Sequence, residues 1–177
     1  MSWVDTSMSW VDTYKDSIPD WAKDIRLNLD STVNRSSLDA VDAQAVALAA
    51  AFACKNKALV NAIAKDLGEV PEKSAALTAA SLMAMNNIWY PYVEMAADED
   101  LKSQRPELRM NAYATFGGVT REKFEMYALA ASIVGKCHFC VKAHYETLKQ
   151  EGYTVEQLRD IGRIAAVMNS VCRVLVG

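Results

Sequence analysis

Glycine and proline, the two residues that interrupt regular backbone, number only 7 and 4 in this 177-residue chain. Between them, alanine-rich apolar residues recur at helical spacing almost throughout, which favours an all-α fold. Pro19 suits the opening turn of "PDWAKDIRLNLDS", where Trp21, Ile25 and Leu29 fall on one stripe. Ser37 can cap the next helix, with Asp39 in its first turn, leading into "AVALAAAFACK". "NKALVNAIAKDLG" presents Leu59, Ile63 and Leu67 at four-residue steps and stops at Gly68. Pro71 starts "PEKSAALTAASLMAMNNIWY", which is apolar nearly all round, is expected at the centre, and is bounded by Pro91. "AADEDLKSQRPELR" reads as an exposed connection. In "TFGGVTREKFE", Gly117 and Gly118 permit a turn and Thr120 can cap the helix after it. "REKFEMYALAASIV" ends near Gly135, a further helix runs to Gly152, and the last begins at Thr154, where Thr154 and Gln157 have capping-box spacing.

The length fits one compact multi-helix domain with a sizeable core. "MSWVDT" occurs twice in tandem, at residues 1–6 and 8–13. An exact six-residue repeat is too short to be a structural unit. It reads as a start-site or cloning duplication, so residues 1–17 are expected to be a loosely ordered tail and 18–177 the helical domain. A net charge of −3 and a pI near 5.4 argue against nucleic acid as the main partner. No apolar run approaches the roughly 18 residues that span a bilayer, so no membrane partner is expected. The start of the chain also lacks the pattern of a signal peptide. The four cysteines, Cys54, Cys137, Cys140 and Cys172, are therefore expected in a reducing cytoplasm.

Chemistry concentrates in "GKCHFCVKAH", residues 135–144. Helical neighbours three and four apart share a face, so Cys137, Cys140 and His144 line one stripe, with the cysteines near disulfide reach. Cys140 is the sulfur directly served by the His144 imidazole, and Cys137 sits nearer the helix start. A helix N-terminus and a nearby imidazole both favour thiolate over thiol. Along one straight helix Glu125 and Cys137 would be about 18 Å apart. Gly135 offers a break, and an antiparallel fold-back would bring Glu125 level with His144, where a carboxylate could orient the imidazole. Three readings compete: inert core thiols, a zinc site and a redox dithiol. Inert thiols leave the in-register histidine unexplained. A zinc site wants four ligands, usually in two separated pairs, and only Cys137, Cys140, His144 and His138 cluster. The dithiol ranks first. Cys54 and Cys172 stand alone in apolar helices and read as core. Asn86 and Asn87, within "MAMNNIWYPYVEM", are suited to satisfying buried backbone or lining the site. For Arg105 and Arg109 the sequence does not choose between solvated charge and partner contact.

The block "FEMYALAASIVGKCHFCVKAH" resembles the active-site segment of the alkyl hydroperoxide reductase D family: Glu, eleven residues, Cys-x-x-Cys, three residues, His. "PDWAKDIRLNL", "MAMNNIWYPY" and "RPELRMNAYATFGG" also look like segments of that family, in the same order, so the likeness covers residues 18–177. The resemblance implies the all-helical fold of the carboxymuconolactone decarboxylase superfamily and a homotrimer or higher assembly. It implies electron transfer from dihydrolipoamide, borne on a lipoyl-bearing 2-oxoacid dehydrogenase subunit, to the peroxiredoxin alkyl hydroperoxide reductase C, with weak peroxidase activity besides. No bound cofactor or metal is implied. By motif match, Cys140 would be the attacking thiol, Cys137 the resolving partner, and His144 with Glu125 the proton relay. One position departs: family members often carry histidine immediately before the second cysteine, where this chain has Phe139. His138 is one step, about 100°, off that face. The alternatives are a non-redox decarboxylase or lyase of the same superfamily, or an oligomeric scaffold with inert thiols.

Overall fold

The computed structural model describes residues 9–175. Helix α1 (Trp10–Ser17) is capped by Ser9, whose Oγ accepts from the Asp12 N–H. Trp10 and Val11 are buried. The Trp10 backbone N–H donates to Asp66 at 2.6 Å, and its indole N–H donates to Gln44. This corrects the expected tail over residues 1–17: most of the second "MSWVDT" copy is an ordered helix, because its Trp-Val pair has a place in the core. The first copy lies outside the described residues.

Pro19 leads into a 3₁₀ turn (Asp20–Ala22) and then α2 (Lys23–Val33). The tighter turn breaks the expected stripe, so Trp21 is 79% exposed while Leu29 is fully buried. Helix α3 (Ala40–Ala53) buries every residue from Ala45 to Ala51, and these small side chains let neighbouring helices approach on all sides. Ser37 does not cap it. Asp39 occupies the cap without a side-chain bond, and Ser37 N–H and Oγ both donate to Asp160 instead, at 2.8 and 2.7 Å.

Helix α4 (Lys57–Leu67) is capped by Asn56 and stops at Gly68, where φ is 70°. Helix α5 (Pro71–Ala96) runs through Pro91 rather than ending there. Within a helix a proline lacks the N–H that would bond four residues back, so only the Asn87 carbonyl loses its partner, and a long helix tolerates that one loss. Helix α6 (Glu99–Lys102) and two 3₁₀ turns (Asn111–Ala114 and Phe116–Gly118) form the connection to the second half of the chain. At Gly117, φ is 63° and a Cβ would sit 3.0 Å from the Ala75 backbone, so both conformation and space require glycine.

Helices α7 (Arg121–Gly135), α8 (His138–Gln150) and α9 (Val155–Val174) complete the chain. Thr120 caps α7, and the Thr154–Gln157 capping box opens α9 as its spacing predicts. Helices α3, α5, α7 and α9 make up the packed centre of one compact all-α domain; α2 lies on α9, and α8 lies mainly on α7. No strand occurs among the described residues, and none of their helices is long and apolar enough to cross a membrane.

A partly buried polar cluster fixes the start of α7. Tyr127 OH donates to Asp42 at 2.9 Å, and Lys123 Nζ lies 3.3 Å from Asp42 and 2.9 Å from Glu72. Burial and then the Asp42 charge push the Tyr127 hydroxyl well above its ordinary range, so it remains a donor. Ties to α3 and α5 therefore flank Glu125, one turn into α7.

Candidate active site

Helix α7 places Glu125 among core neighbours, Phe124 and Met126, where the residue is 6% exposed. A buried carboxylate needs partners, and the next helix supplies one. Helix α7 ends as Lys136 adopts a left-handed conformation, φ 56°, with its N–H returned to Ser132 and Ile133 carbonyls. The break thus falls one residue later than expected. Gly135 serves a different need: a Cβ there would lie 2.3 Å from Asn87 Nδ2. Glycine at 135 lets α5 and α7 approach closely.

Cys137 is not inside the following helix, as the simple register has it. It caps α8 in an extended conformation, and its Sγ accepts the Cys140 N–H at 3.3 Å. Cys137 and Cys140 form a disulfide with Cα atoms 5.3 Å apart, and both are buried. One turn beyond Cys140, His144 Nδ1 lies 2.5 Å from Glu125 Oε2, the fold-back geometry expected from the break between the helices. His144 is 7% exposed. Its Nε2 lies 3.1 Å from Met83 Sδ on α5, and Tyr113 OH lies 3.5 Å from Nδ1.

The imidazole does not bond directly to Cys140 in this disulfide form. The Cys140 sulfur is turned to Cys137 and lies 3.7 Å from the Asn86 carbonyl oxygen. Thiolate stabilisation in the geometry present falls on Cys137, which has the cap position, a backbone N–H and the positive end of α8. Nδ1 faces the carboxylate and Nε2 faces the thioether, so one nitrogen orients the ring while the other is held near a weak acceptor.

Tyr113 and Met83 escape the sequence reading. Burial and then the Glu125 charge push the Tyr113 hydroxyl far above its ordinary range. It therefore stays protonated beside the Glu125–His144 pair, 3.5 Å from His144 Nδ1. Tyr113 lies in an irregular turn, where periodicity assigns no face; Met83 looks like any core residue of α5. Asn87 does satisfy buried backbone: Nδ2 donates to the Ala131 carbonyl at 3.2 Å. His138 is exposed, lies 3.7 Å from Glu94, and shares with Cys137 the lining of a groove along α8. Phe139, half-exposed, stacks on Tyr90 with ring centroids 4.3 Å apart. Arg105 and Arg109 are exposed.

Among the described residues no group of three or more His, Cys, Asp or Glu converges as a metal site would. An open groove of about 600 Å³ along α8 reaches the disulfide at Cys137 and is bordered by Lys136, Lys142 and Lys149. A larger groove of about 1020 Å³ lies behind the site, with Asn87 and Gly135 in one wall.

An all-helical domain with a disulfide at a helix start, backed by a buried Glu–His pair, is a thiol-bearing variant of a wider helical class. Residues 99–176 match the Carboxymuconolactone decarboxylase family. More specifically, the chain is 38% identical over 170 residues to alkyl hydroperoxide reductase AhpD of Coxiella burnetii (strain RSA 493 / Nine Mile phase I), covering 93% of this chain and 96% of that protein. The AhpD proteins of Rhodospirillum centenum (strain ATCC 51521 / SW) and Bradyrhizobium sp. (strain BTAi1 / ATCC BAA-1182) are 36% and 37% identical, covering 93% and 91% of this chain and 90% of each relative. The chain belongs to the AhpD family.

Proposed function

We propose that the protein is an antioxidant thiol–disulfide oxidoreductase that takes electrons from dihydrolipoamide and delivers them to a peroxiredoxin or directly to a hydroperoxide. The observation that carries this reading is the Cys137–Cys140 disulfide at the start of α8 with the buried Glu125–His144 pair one turn further on. The relatives' name, alkyl hydroperoxide reductase, supports it.

In the reductive half, a donor thiolate attacks Cys140 Sγ and the S–S bond breaks. Cys137 leaves as a thiolate, favoured as leaving group by its cap position. The donor's second thiol then displaces Cys140, and the donor departs as a disulfide. In the oxidative half, the Cys140 thiolate attacks a hydroperoxide oxygen, giving a sulfenic acid and an alcohol. Cys137 closes the disulfide with loss of water. With a peroxiredoxin, Cys140 instead attacks its disulfide and Cys137 resolves the mixed disulfide. His144, held by Glu125 and Tyr113, supplies and accepts protons. With Phe139 where the family often has histidine, the relay is shorter, so direct peroxide turnover suffers more than disulfide exchange. Phe139→His should raise the first rate selectively.

The basic groove at Cys137 suits an acidic surface around a lipoyl group. Assembly as a homotrimer or larger fits the apolar stripe Ile88, Tyr92 and Met95 on α5, which are 72%, 51% and 77% exposed. A cytoplasmic setting, where the pair can be reduced again, agrees with this chemistry.

The test couples lipoamide, lipoamide dehydrogenase, NADH and a hydroperoxide, with and without a candidate peroxiredoxin. NADH oxidation that depends on the protein supports the reading. Unchanged rates in both Cys140→Ser and Cys137→Ser would sink it.

A further inference from the structure

The two remaining cysteines, expected to stand alone, meet in the fold. Cys54 ends α3 and Cys172 lies in the last turn of α9. Cys54 Sγ is 3.8 Å from Asn169 Oδ1, one turn before Cys172 on α9. Asn56, two residues beyond Cys54, donates its side-chain amide to the Cys172 carbonyl at 3.5 Å. Asn169 and Cys172 lie one turn apart on the same face of α9, so the contact at Asn169 brings Cys172 beside Cys54. Their exposure differs: Cys172 is 5% exposed, whereas Cys54 is only partly covered. One sulfur can therefore be reached and the other waits behind it.

We propose that Cys54 and Cys172 form a second dithiol–disulfide couple, oxidised by hydroperoxides and separate from the pair on α8. The neighbouring Cys172 thiol, and beyond it the Arg173 charge, hold the Cys54 thiol below its ordinary range despite burial. The Cys54 thiol beside it, and then burial, push Cys172 up. This asymmetry divides the labour between attacker and resolver. The Cys54 thiolate attacks the terminal oxygen of a hydroperoxide. The O–O bond breaks, the alcohol leaves with a proton, and Cys54 becomes a sulfenic acid. Cys172 sulfur then displaces the hydroxyl group from Cys54, its own proton leaves with that group as water, and the disulfide forms. The two thiols give up two electrons and the peroxide receives both. The product ties the end of α3 to the end of α9, two helices of the packed centre, so oxidation records peroxide exposure as a covalent brace.

The couple is tested on the full-length, fully reduced protein titrated with cumene hydroperoxide, then alkylated and mapped by non-reducing tryptic digestion. Cys54 lies in peptide 36–55, Cys172 in 164–173 and the α8 pair in 137–142, so the two disulfides are distinguishable. Expected are a linked 36–55/164–173 peptide and simultaneous loss of both thiols. Cys172→Ser should leave a dimedone-reactive sulfenic acid on Cys54, whereas Cys54→Ser should leave Cys172 reduced. A closed 137–142 disulfide with Cys54 and Cys172 still alkylated would overturn the proposal and leave the lipoamide-linked activity untouched. Over-oxidised Cys54 beside free Cys172 would overturn it equally. Because the map on the unmutated protein decides the matter, a variant that fails to fold does not block the test.

Discussion

Glu125 and His144 face each other at 2.5 Å across two consecutive helices, both almost wholly buried. The link of Lys136 and Cys137 reverses the chain and makes this contact possible. In the proposed cycle that carboxylate fixes the ring and stabilises the imidazolium formed when a thiol is deprotonated. Glu125→Gln keeps a hydrogen-bonding group but removes the charge. It should lower lipoamide-linked turnover by about 10²–10⁴-fold, the usual scale of general acid–base help. His144→Phe should cost a similar factor, and the double variant little more than either, because the two act as one unit. Steady-state rates for the three proteins, with thermal melts to verify folding, provide the check. Additive losses would mean the residues do not work together.

The two cysteines should fail differently. Under the proposed attack at Cys140 with departure of Cys137, Cys137→Ser leaves a reactive thiol with no resolver. That variant should accumulate a mixed disulfide with a monothiol disulfide reagent such as DTNB. Cys140→Ser should lose turnover as fully, yet hold an adduct on a cap sulfur rather than on α8 itself. Mass spectrometry of each variant, reduced, freed of reductant and then briefly exposed to DTNB, distinguishes them. A stable adduct only on Cys137 would reverse the roles.

Sequence and fold part company where interactions become long-range. Thr120, Thr154 with Gln157, and Gly68 act within one turn, and each does in the fold what its spacing implies. The Glu125–His144 contact also comes from counting residues on either side of one break. Longer-range competition defeats the same logic at Ser37, whose hydroxyl is taken by Asp160 from α9. The meeting of Cys54 with Cys172, and of Tyr113 with His144, depends on how separate elements dock. Helical periodicity says which residues share a face but not which face meets which. Trp10 and Val11 were concealed for another reason: a duplicated hexapeptide looks like sequence noise, yet its second copy supplies core side chains.

Asp160 makes stability pH-dependent. Burial alone would push its carboxyl up, but hydrogen bonds from Ser37 N–H and Oγ, and from Arg159 and Arg163, outweigh burial and hold it well below the usual carboxylate range. A carboxyl that binds its proton less readily when folded adds stability above the unfolded value near ~3.9, and loses it as pH falls from there toward the folded value. Asp160→Asn should therefore cost about 2–3 kcal/mol at pH 7. The difference should shrink steadily below about pH 4. Denaturant melts of both proteins from pH 7 to 3 measure the gap. A constant gap would rule out the charged carboxylate as its source.

Gly135 offers a test of the helix packing behind the site. An added Cβ would approach Asn87 Nδ2 to 2.3 Å, Cγ to 2.7 Å and Cβ to 2.9 Å, so rotating the amide cannot relieve the whole clash. Gly135→Ala should destabilise the protein by about 1–3 kcal/mol, the range for overpacked interiors. It should also slow turnover, because α7 carries Glu125 and leads into Cys137. Asn87→Ala removes two of the three clashing atoms together with Oδ1, which has no hydrogen-bond partner, at the loss of the bond to the Ala131 carbonyl. The double variant should therefore recover stability relative to Gly135→Ala alone, a coupling that a double-mutant cycle of melts reads directly. If the two costs simply added, the closeness of α5 to α7 at this point would not be what requires glycine.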